Sequence, residues 1–578
     1  MAGFRTYLST IRYMKPSQIT ARLSRYLDKR HEKSSLPPKI IRKLRYTPRL
    51  YVDILDDDST VSGRFDVTEI SDGRVGLLNE KKEVDFSNMT VKEEATPLWR
   101  FNLLYLEYLI PLANRYIQDD KISDKRAIRD ILQGAKTSFE ENQDARWPYI
   151  LALQTVNVLI VKDVLSRSTS LFSKRDEDDF LIDLYRKYCY LQRHREKELL
   201  ANHYFENIKA LLILSMAFGE EKKVEQYMKE LRSELQEQIL PDGMHYERSF
   251  MYHKLILEDL MRIVLASHGT PWQERIYTMV GPYIIAMCNF LARVEHYIPR
   301  TPFFNDDADN VAKPARSLLK TAERLGFIDL RSIEKNFKSL ETNIFYSESS
   351  GFFVADRGHQ TLLIDLGKIG PDYNPGHAHN SFLSYEIMDR DMPVIVNSGV
   401  SCYQGPERAY YRSVAAHNTF TIDDTEPSEC WAEHRVGKRI RDIKVTVEEG
   451  KVVGEFKNQK GRRGRRIFLF RDDVMKIYDE ATDGEKAKIT SYIHLAPDFF
   501  IVRKYANVYA VSHSSINFSF EIKVTEGNAE IISRDENHPY AEGFGRKEKI
   551  DILRMEGNRV SYEIRTTGYD DRNALIRR

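Results

Sequence analysis

The sequence predicts an α+β chain in two unlike halves, a helical region followed by an antiparallel sheet domain. Three observations predict it. Between about residues 97 and 325 apolar residues recur at helical spacing in successive segments. After about residue 345 the period falls to two, as in Gly351-Phe-Phe-Val-Ala and Gln360-Thr-Leu-Leu-Ile-Asp. No strand-helix-strand rhythm runs through either half, which excludes a parallel sheet wound between helices.

The elements follow in order. Residues 1–90 begin basic and helical, break at Pro37-Pro38, and continue in short alternating runs such as Gly63-Arg-Phe-Asp-Val-Thr, which reads as an extension packed on a larger body. Residues 91–340 hold helical segments at 99–112, 147–165, 180–191, 202–218, 252–266 and 277–294. Breakers such as Leu240-Pro-Asp-Gly243 and His268-Gly-Thr-Pro271 separate them. Many helices of similar length with short links predict stacked antiparallel hairpins, closed as a toroid or open as a solenoid. Residues 341–578 add runs at 381–387, 418–423, 466–471 and 516–522, an antiparallel sandwich. No low-complexity linker divides the halves, so a packed interface with a cleft beside it is expected.

At 578 residues the chain is long enough for two or three cores. Lys and Arg (87) balance Asp and Glu (86), so no global field selects nucleic acid or an anionic membrane as partner. Cys189, Cys288, Cys402 and Cys430 lie far apart and form no Cys-x-x-Cys pair, which fits a reducing compartment. The first residues interrupt their apolar positions with charge, and no run of about 18 apolar residues is read. A cytoplasmic protein with no membrane partner is the expectation.

The densest chemistry lies where the sheet half begins. Asn374-Pro-Gly-His377-Ala-His379 is followed by Asn397-Ser-Gly399 and by Arg412-Ser-Val-Ala-Ala-His417. In a strand, residues i and i+2 share a face, so His377 and His379 can point together, and His417 from a neighbouring strand would complete a metal corner. The plainer alternative is that these histidines cap loops or fill polar niches. Asn397 stands where an acidic ligand would complete the set.

On the helices, Ala201-Asn202-His203-Tyr204-Phe205-Glu206 places Asn202 and Glu206 on one face, where a helix cap with ordinary surface polars is the competing account. His245-Tyr-Glu247-Arg248 with Tyr252-His253 packs an acid, cations and a phenol into one loop and helix start. A free tyrosine titrates near 10, so Tyr252 as a base needs neighbours such as Arg248 and His253. Phe303-Phe-Asn-Asp-Asp307 can bind a cation or shape the floor of a cleft, or be a turn with a helix cap. Arg408, Arg412 and Arg435 can hold a carboxylate or sulfate, or pair with the nearby Glu407, Glu429 and Glu433. No phosphate-binding glycine loop, Gly-x-Ser-x-Gly elbow or His-Glu-x-x-His motif is present.

Taken together and in this order, these segments, with Trp99-Arg-Phe-Asn102 and Trp147-Pro-Tyr149, resemble the heparinase II/III-like family of polysaccharide lyases. The resemblance implies an N-terminal incomplete (α/α) toroid and a C-terminal antiparallel β-sandwich. It also implies β-elimination at a uronic acid. On the matching positions, Asn202 would hold the carboxylate and the enolate-like intermediate, Tyr252 would act as general base and acid, and His377 would assist proton transfer. His203, Glu206, Glu247, Arg248, His253, Arg408 and Arg412 would contact an anionic poly- or oligosaccharide. His379, Asn397 and His417 match a site for zinc or another divalent ion found in part of the family, with Asn397 in place of aspartate. A cytoplasmic member fits the processing of oligosaccharides or surface-polysaccharide metabolism. The alternatives are a uronyl C5-epimerase on the same scaffold and a catalytically silent glycan-binding protein.

Overall fold

A computed structural model describes residues 3–31, 36–50, 65–166, 173–309, 311–338, 344–357, 360–390, 392–471, 474–484, 486–516 and 518–569. The described helices are α1 (Phe4–Ile11), α2 (Pro16–His31), α3 (Pro97–Tyr105), α4 (Leu109–Asp119), α5 (Ile122–Glu141), α6 (Pro148–Leu165) and α7 (Lys174–Arg193). They continue as α8 (Ala201–Phe218), α9 (Glu221–Gln238), α10 (Phe250–Ser267), α11 (Gln273–Tyr297), α12 (Ala315–Arg324), α13 (Leu330–Lys338) and the short α14 (Glu407–Tyr411).

Composition sorts these helices into two layers. α6, α8 and α10 are apolar on nearly every face and pack in a row, α6 on α8 and α8 on α10. The charged α7 and α9, and the largely apolar α11, each pack against the inner helix before them. In α8 every residue is buried except His203. α6 is long and apolar enough by composition to cross a membrane, contrary to the reading that no such run exists, yet 72% of that stretch is buried inside this helical body. The segment read as one helix at 99–112 is two, because Leu106 takes a left-handed conformation (φ 59°) between α3 and α4.

The sheet half holds a five-stranded sheet over residues 344–395 and a ten-stranded sheet that reaches residue 569, and every strand pairing within them is antiparallel. One face of the small sheet, with Phe353, Leu362 and Ile364, shares a core with Phe468, Ile477 and Ile564 of the large sheet. Its other face, with Phe352, Val354 and Leu363, packs on Phe250 and Phe290 of α10 and α11. Burial on both faces explains why Phe352–Asp356 and Gln360–Asp365 read as apolar runs, whereas Lys451–Lys457 in the large sheet alternates strictly.

In the N-terminal extension, strands lie at Arg74–Leu77, Glu80–Asp85 and Thr90–Val91. The alternating run at 63–68 is not a strand where it is described, and Gly63 and Arg64 lie outside the described residues.

The two halves are also stapled by charge. Arg248 donates through Nε to Ser350 O at 2.6 Å, through one terminal nitrogen to Lys368 O at 2.7 Å, and through the other to the Asp365 carboxylate. A Cβ on Gly367 would stand 2.3 Å from the Arg248 guanidinium and 2.5 Å from Ser350 O. Gly367→Ala is therefore expected to force the staple aside and destabilise the protein by about 1–3 kcal/mol, the usual cost of overpacking. Thermal unfolding checks this: an unchanged midpoint would show that the interface yields freely.

Candidate active site

The site begins at the N-terminus of α8. Its N-cap, Leu200, has φ 61° and ψ −153°, a strained conformation for a residue with a Cβ, and offers no side-chain cap. The first-turn N–H groups and the positive end of the helix dipole are thus left for an anion. Asn202 sits in that first turn, 3% exposed, and its Oδ1 has no protein hydrogen-bond partner. His203, the one residue of α8 that is not buried, bonds through Nδ1 to Glu196 Oε1 at 3.1 Å and lies 4.5 Å from the Tyr149 ring. Burial works against protonating it, but the Glu196 carboxylate, joined by the Glu247 and Glu206 charges, raises its pKa. Glu196 also accepts from Trp147 Nε1 at 2.6 Å, which fixes a half-exposed indole at the edge of the site.

Glu206, one turn along α8 from Asn202, pairs with Lys209, which also reaches Asp259, so two buried carboxyls share one ammonium. Burial first, and then the Glu206 charge, raise the Asp259 pKa well above the carboxylate range. The Glu206 charge also acts on the Tyr149 phenol and on His203, so it lies beside the site while held by Lys209.

Opposite, α10 presents Tyr252 in its first turn, with Ser249 Oγ capping the Tyr252 N–H at 3.1 Å. The Tyr252 and Tyr403 hydroxyls are 2.9 Å apart, and the Tyr252 ring is 4.2 Å from the His377 ring. Burial, reinforced by Tyr403 and by the Glu247 and Asp306 charges, pushes the Tyr252 pKa well above 10 and keeps the phenol neutral. Glu247 is 1% exposed, and its carboxylate faces the Asn202 backbone N–H without a well-formed hydrogen bond on either oxygen. Burial raises its pKa against the pull of His377, His203 and the Asn202 backbone N–H, which places it among all three.

Asp306 is the electrostatic centre. It is fully buried and accepts from His377 Nδ1 at 2.7 Å, His379 Nε2 at 2.8 Å and both terminal nitrogens of Arg408. Burial alone would raise its pKa, but Arg408 and the two histidine bonds hold it well below the ordinary carboxylate range. An ionised carboxylate only accepts, so the neutral His377 ring carries its proton on Nδ1 and keeps a lone pair on Nε2.

Several residues expected to touch substrate do other work. Arg248 is the interdomain staple. His253 is buried, with Nε2 on Met287 O at 3.2 Å and Nδ1 accepting the His245 N–H, and burial lowers its pKa to about 4. Arg412 is buried and donates to the carbonyls of Pro375, Ala378, Glu433 and Arg435, which shapes the loop that carries His377. Arg408 is likewise buried, so neither arginine forms the surface ion pair that was the alternative.

The donor set does not fit a divalent metal. His379 Nδ1 and His417 Nε2 face each other at 3.2 Å, but Asn397 Oδ1 lies on the far ring nitrogen, accepting from His417 Nδ1 at 3.1 Å as well as from Ser384 Oγ and the Asn418 N–H. Two converging nitrogens leave a zinc site half built. Among the described residues no group of three or more His, Cys, Asp and Glu side chains could hold a metal ion.

Asp307 locks α10 in place: its Oδ1 accepts from Ser249 Oγ and from the Met251 N–H, each at 2.8 Å. Burial pushes its pKa up to about 7. In the unfolded chain an aspartate titrates near 3.9, so between about pH 4 and pH 7 the folded state holds a proton that the unfolded state has released. Stability is expected to fall as pH rises through that window. Glu234, also raised to about 7 by burial, adds to the same slope. Asp307→Asn should flatten it in part, as read by denaturant midpoints at pH 5 and 8, whereas an unchanged slope would contradict a protonated Asp307.

Tyr403, Glu196 and His434 join the site without having been singled out for it, and Asp306, from the acidic run after Phe303-Phe304, becomes its centre. His434 lies 6.4 Å from His377 and 6.0 Å from Tyr403, ring to ring. Asp306 carried a visible signal as one of two adjacent acids after an apolar pair, whereas Tyr403 and His434 sit in loops with no periodicity to place them.

Residues 57–325 match the family description Heparinase II/III N-terminus, and residues 341–569 match Heparinase II/III-like, C-terminal. Similar solved structures include a heparinase III (14% identity, TM-score 0.69, covering 96% of this chain and 93% of that one). They also include a mutant of the heparan sulfate lyase HepC from Pedobacter heparinus (14% identity, TM-score 0.59, 96% and 89%) and a chondroitinase AC lyase (10%, 0.51, 90% and 83%). At these identities the likeness is one of fold. No curated protein matched the sequence. With both descriptions matched in order across nearly the whole length, the chain belongs to the heparinase II/III-like family.

Proposed function

We propose that this protein cleaves uronate-containing glycans by β-elimination. The observation that carries the reading is the pairing of a lone-pair imidazole, His377, with a neutral phenol, Tyr252, facing the uncapped N-terminus of α8. The uronate carboxylate enters beside Asn202, where helix N–H groups and the Asn202 Nδ2 amide donate to it. Glu247, its pKa raised by burial, lies beside the Asn202 N–H at the same pocket. Spreading the uronate's charge acidifies the C5–H bond and stabilises the enolate-like intermediate.

His377 Nε2 takes the C5 proton, and the resulting imidazolium is stabilised by Asp306 through Nδ1. The C4–O4 bond then breaks as the C4–C5 double bond forms, and O4 takes the Tyr252 proton. Transfer of the proton from His377 back to Tyr252 returns both groups to their starting state. Trp147 and Tyr149 offer ring faces for the flanking sugars.

The test is ultraviolet absorbance of the unsaturated uronate over a panel of heparan, chondroitin, alginate and bacterial surface glycans, beside Tyr252→Phe and His377→Ala. Absorbance that rises with the native protein and is lost in both variants supports the reading. C5 inversion without cleavage, or binding without turnover across the panel, would sink it.

A further inference from the structure

The N-terminal helices are built inside out. In α1 the polar side is turned to the protein: Thr6 is 9% exposed and its Oγ1 donates to Glu429 Oε1 at 2.8 Å, while Thr10 Oγ1 accepts from Trp431 Nε1 at 3.0 Å. The apolar stripe is turned to solvent, with Phe4, Leu8 and Ile11 at i, i+4 and i+7 exposed by 77%, 52% and 49%. α2 repeats the inversion. Gln18 is 1% exposed and its Nε2 bonds to the carbonyls of Glu198, Leu199 and Tyr373, while Ile19 and Leu23 face outward at 38% and 60%.

Charge adds a second, independent observation. Residues 1–31 carry seven Lys and Arg against the single Asp28, a net of +6. Removing those from the totals of 87 and 86 leaves 80 basic against 85 acidic residues in the rest of the chain, a net of −5. The chain's near-neutrality thus conceals a basic extension on an acidic body. Arg5, Arg12 and Arg22 are exposed beside the apolar stripe.

We infer that the outward face of α1 and α2 seats the protein on an anionic lipid surface. Exposed apolar side chains on a helix flanked by arginines are what the headgroup boundary accepts: the apolar stripe enters the acyl edge and the guanidinium groups remain among the phosphates. A second copy of the chain is a poor occupant, because a two-fold contact would bring the exposed Arg5, Arg12 and Arg22 of both copies together. A deformable lipid surface can receive the exposed apolar and basic side chains of both helices. The absence of a spanning segment from the expectations for this chain says nothing against such surface binding.

The seat also lies beside the cleft. α1 grips Trp431 and Glu429, close in sequence to His434, and α2 grips Leu199 O, just ahead of Asn202.

Co-sedimentation of the full chain with vesicles tests the inference, using phosphatidylglycerol mixed with phosphatidylcholine against phosphatidylcholine alone, at low and high salt. Recovery with anionic vesicles at low salt is expected to exceed that with neutral vesicles by roughly tenfold. Phe4→Ser with Leu8→Ser, and separately Arg5→Glu with Arg12→Glu, should each abolish most of that excess while leaving circular dichroism and glycan turnover unchanged. Equal recovery on both vesicles, none on either, or variants that bind like the native chain would overturn it. So would a dimer in light scattering that the serine variant dissolves, which would assign the face to self-association.

Discussion

Asp306→Asn is expected to lower both stability and activity. In the native chain one fully buried carboxylate answers Arg408, His377 and His379 at once. Asparagine keeps a single acceptor oxygen and turns an N–H group toward a guanidinium that is 1% exposed. Leaving that charge buried and unpaired costs about 3–5 kcal/mol. Because Asp306 has a depressed folded pKa, its contribution is fully present above the ordinary carboxylate range and is lost as pH falls through the folded value. The gap between native and variant unfolding free energies should therefore be widest near neutrality and narrow below about pH 4. Activity should fall roughly 10²- to 10⁴-fold, since the group that fixes the His377 tautomer is gone. A variant as stable as the native chain at pH 7 would refute the central role given to this carboxylate.

How much of this was visible in the sequence depends on which face of each element is buried. Inner helices such as α8, apolar all round, announced themselves as helical runs, whereas α5 and α9 were passed over. The α9 sequence, Glu-Lys-Lys-Val-Glu-Gln-Tyr-Met-Lys, buries only a stripe, and its charge density masks the period. The strands just after residue 345 were legible as short apolar runs, because both faces of the small sheet are buried, and those of the large sheet, such as Lys451–Lys457, by a strict period of two. The run at 381–387 begins too early for the same physical reason that strands need extended backbone: Leu383 has φ 64°, so the strand starts at Tyr385.

The site was legible as a set of residue types but not as a network. Tyr252, His377 and Glu247 were identified as candidates, and the fold brings them together. Sequence spacing could not reveal that Arg248 would reach across to Asp365, or that Arg412 would bond only to carbonyls, because a guanidinium reads the same whether it faces a ligand or the protein's own backbone. His379 and His417 do meet, at 3.2 Å, yet Asn397 stands behind one of them rather than beside both. A third ligand depends on direction, which spacing does not carry.

Tyr252→Phe should separate the two proton transfers. The substitution removes one hydroxyl and leaves the ring in its place against His377, so the fold should lose about 1 kcal/mol at most from the missing bond to Tyr403. Glycan affinity should be nearly unchanged while kcat falls roughly 10²- to 10⁴-fold, the size of a general-acid contribution. The neutral phenol suits the acid's role rather than the base's: a group whose pKa lies well above 10 has a proton to give at neutral pH and little phenolate with which to take one. It follows that a substrate whose leaving group at C4 is already a weak base, such as a nitrophenolate, no longer needs that proton. On it Tyr252→Phe should recover most of its rate, while His377→Ala, which still lacks the acceptor for the C5 proton, should stay slow. Tyr403→Phe should fall between the native chain and Tyr252→Phe on ordinary glycans, since it only orients the phenol. If the activated leaving group instead rescues His377→Ala and leaves Tyr252→Phe slow, the phenol is taking the C5 proton itself, and the roles assigned to the two rings must be exchanged.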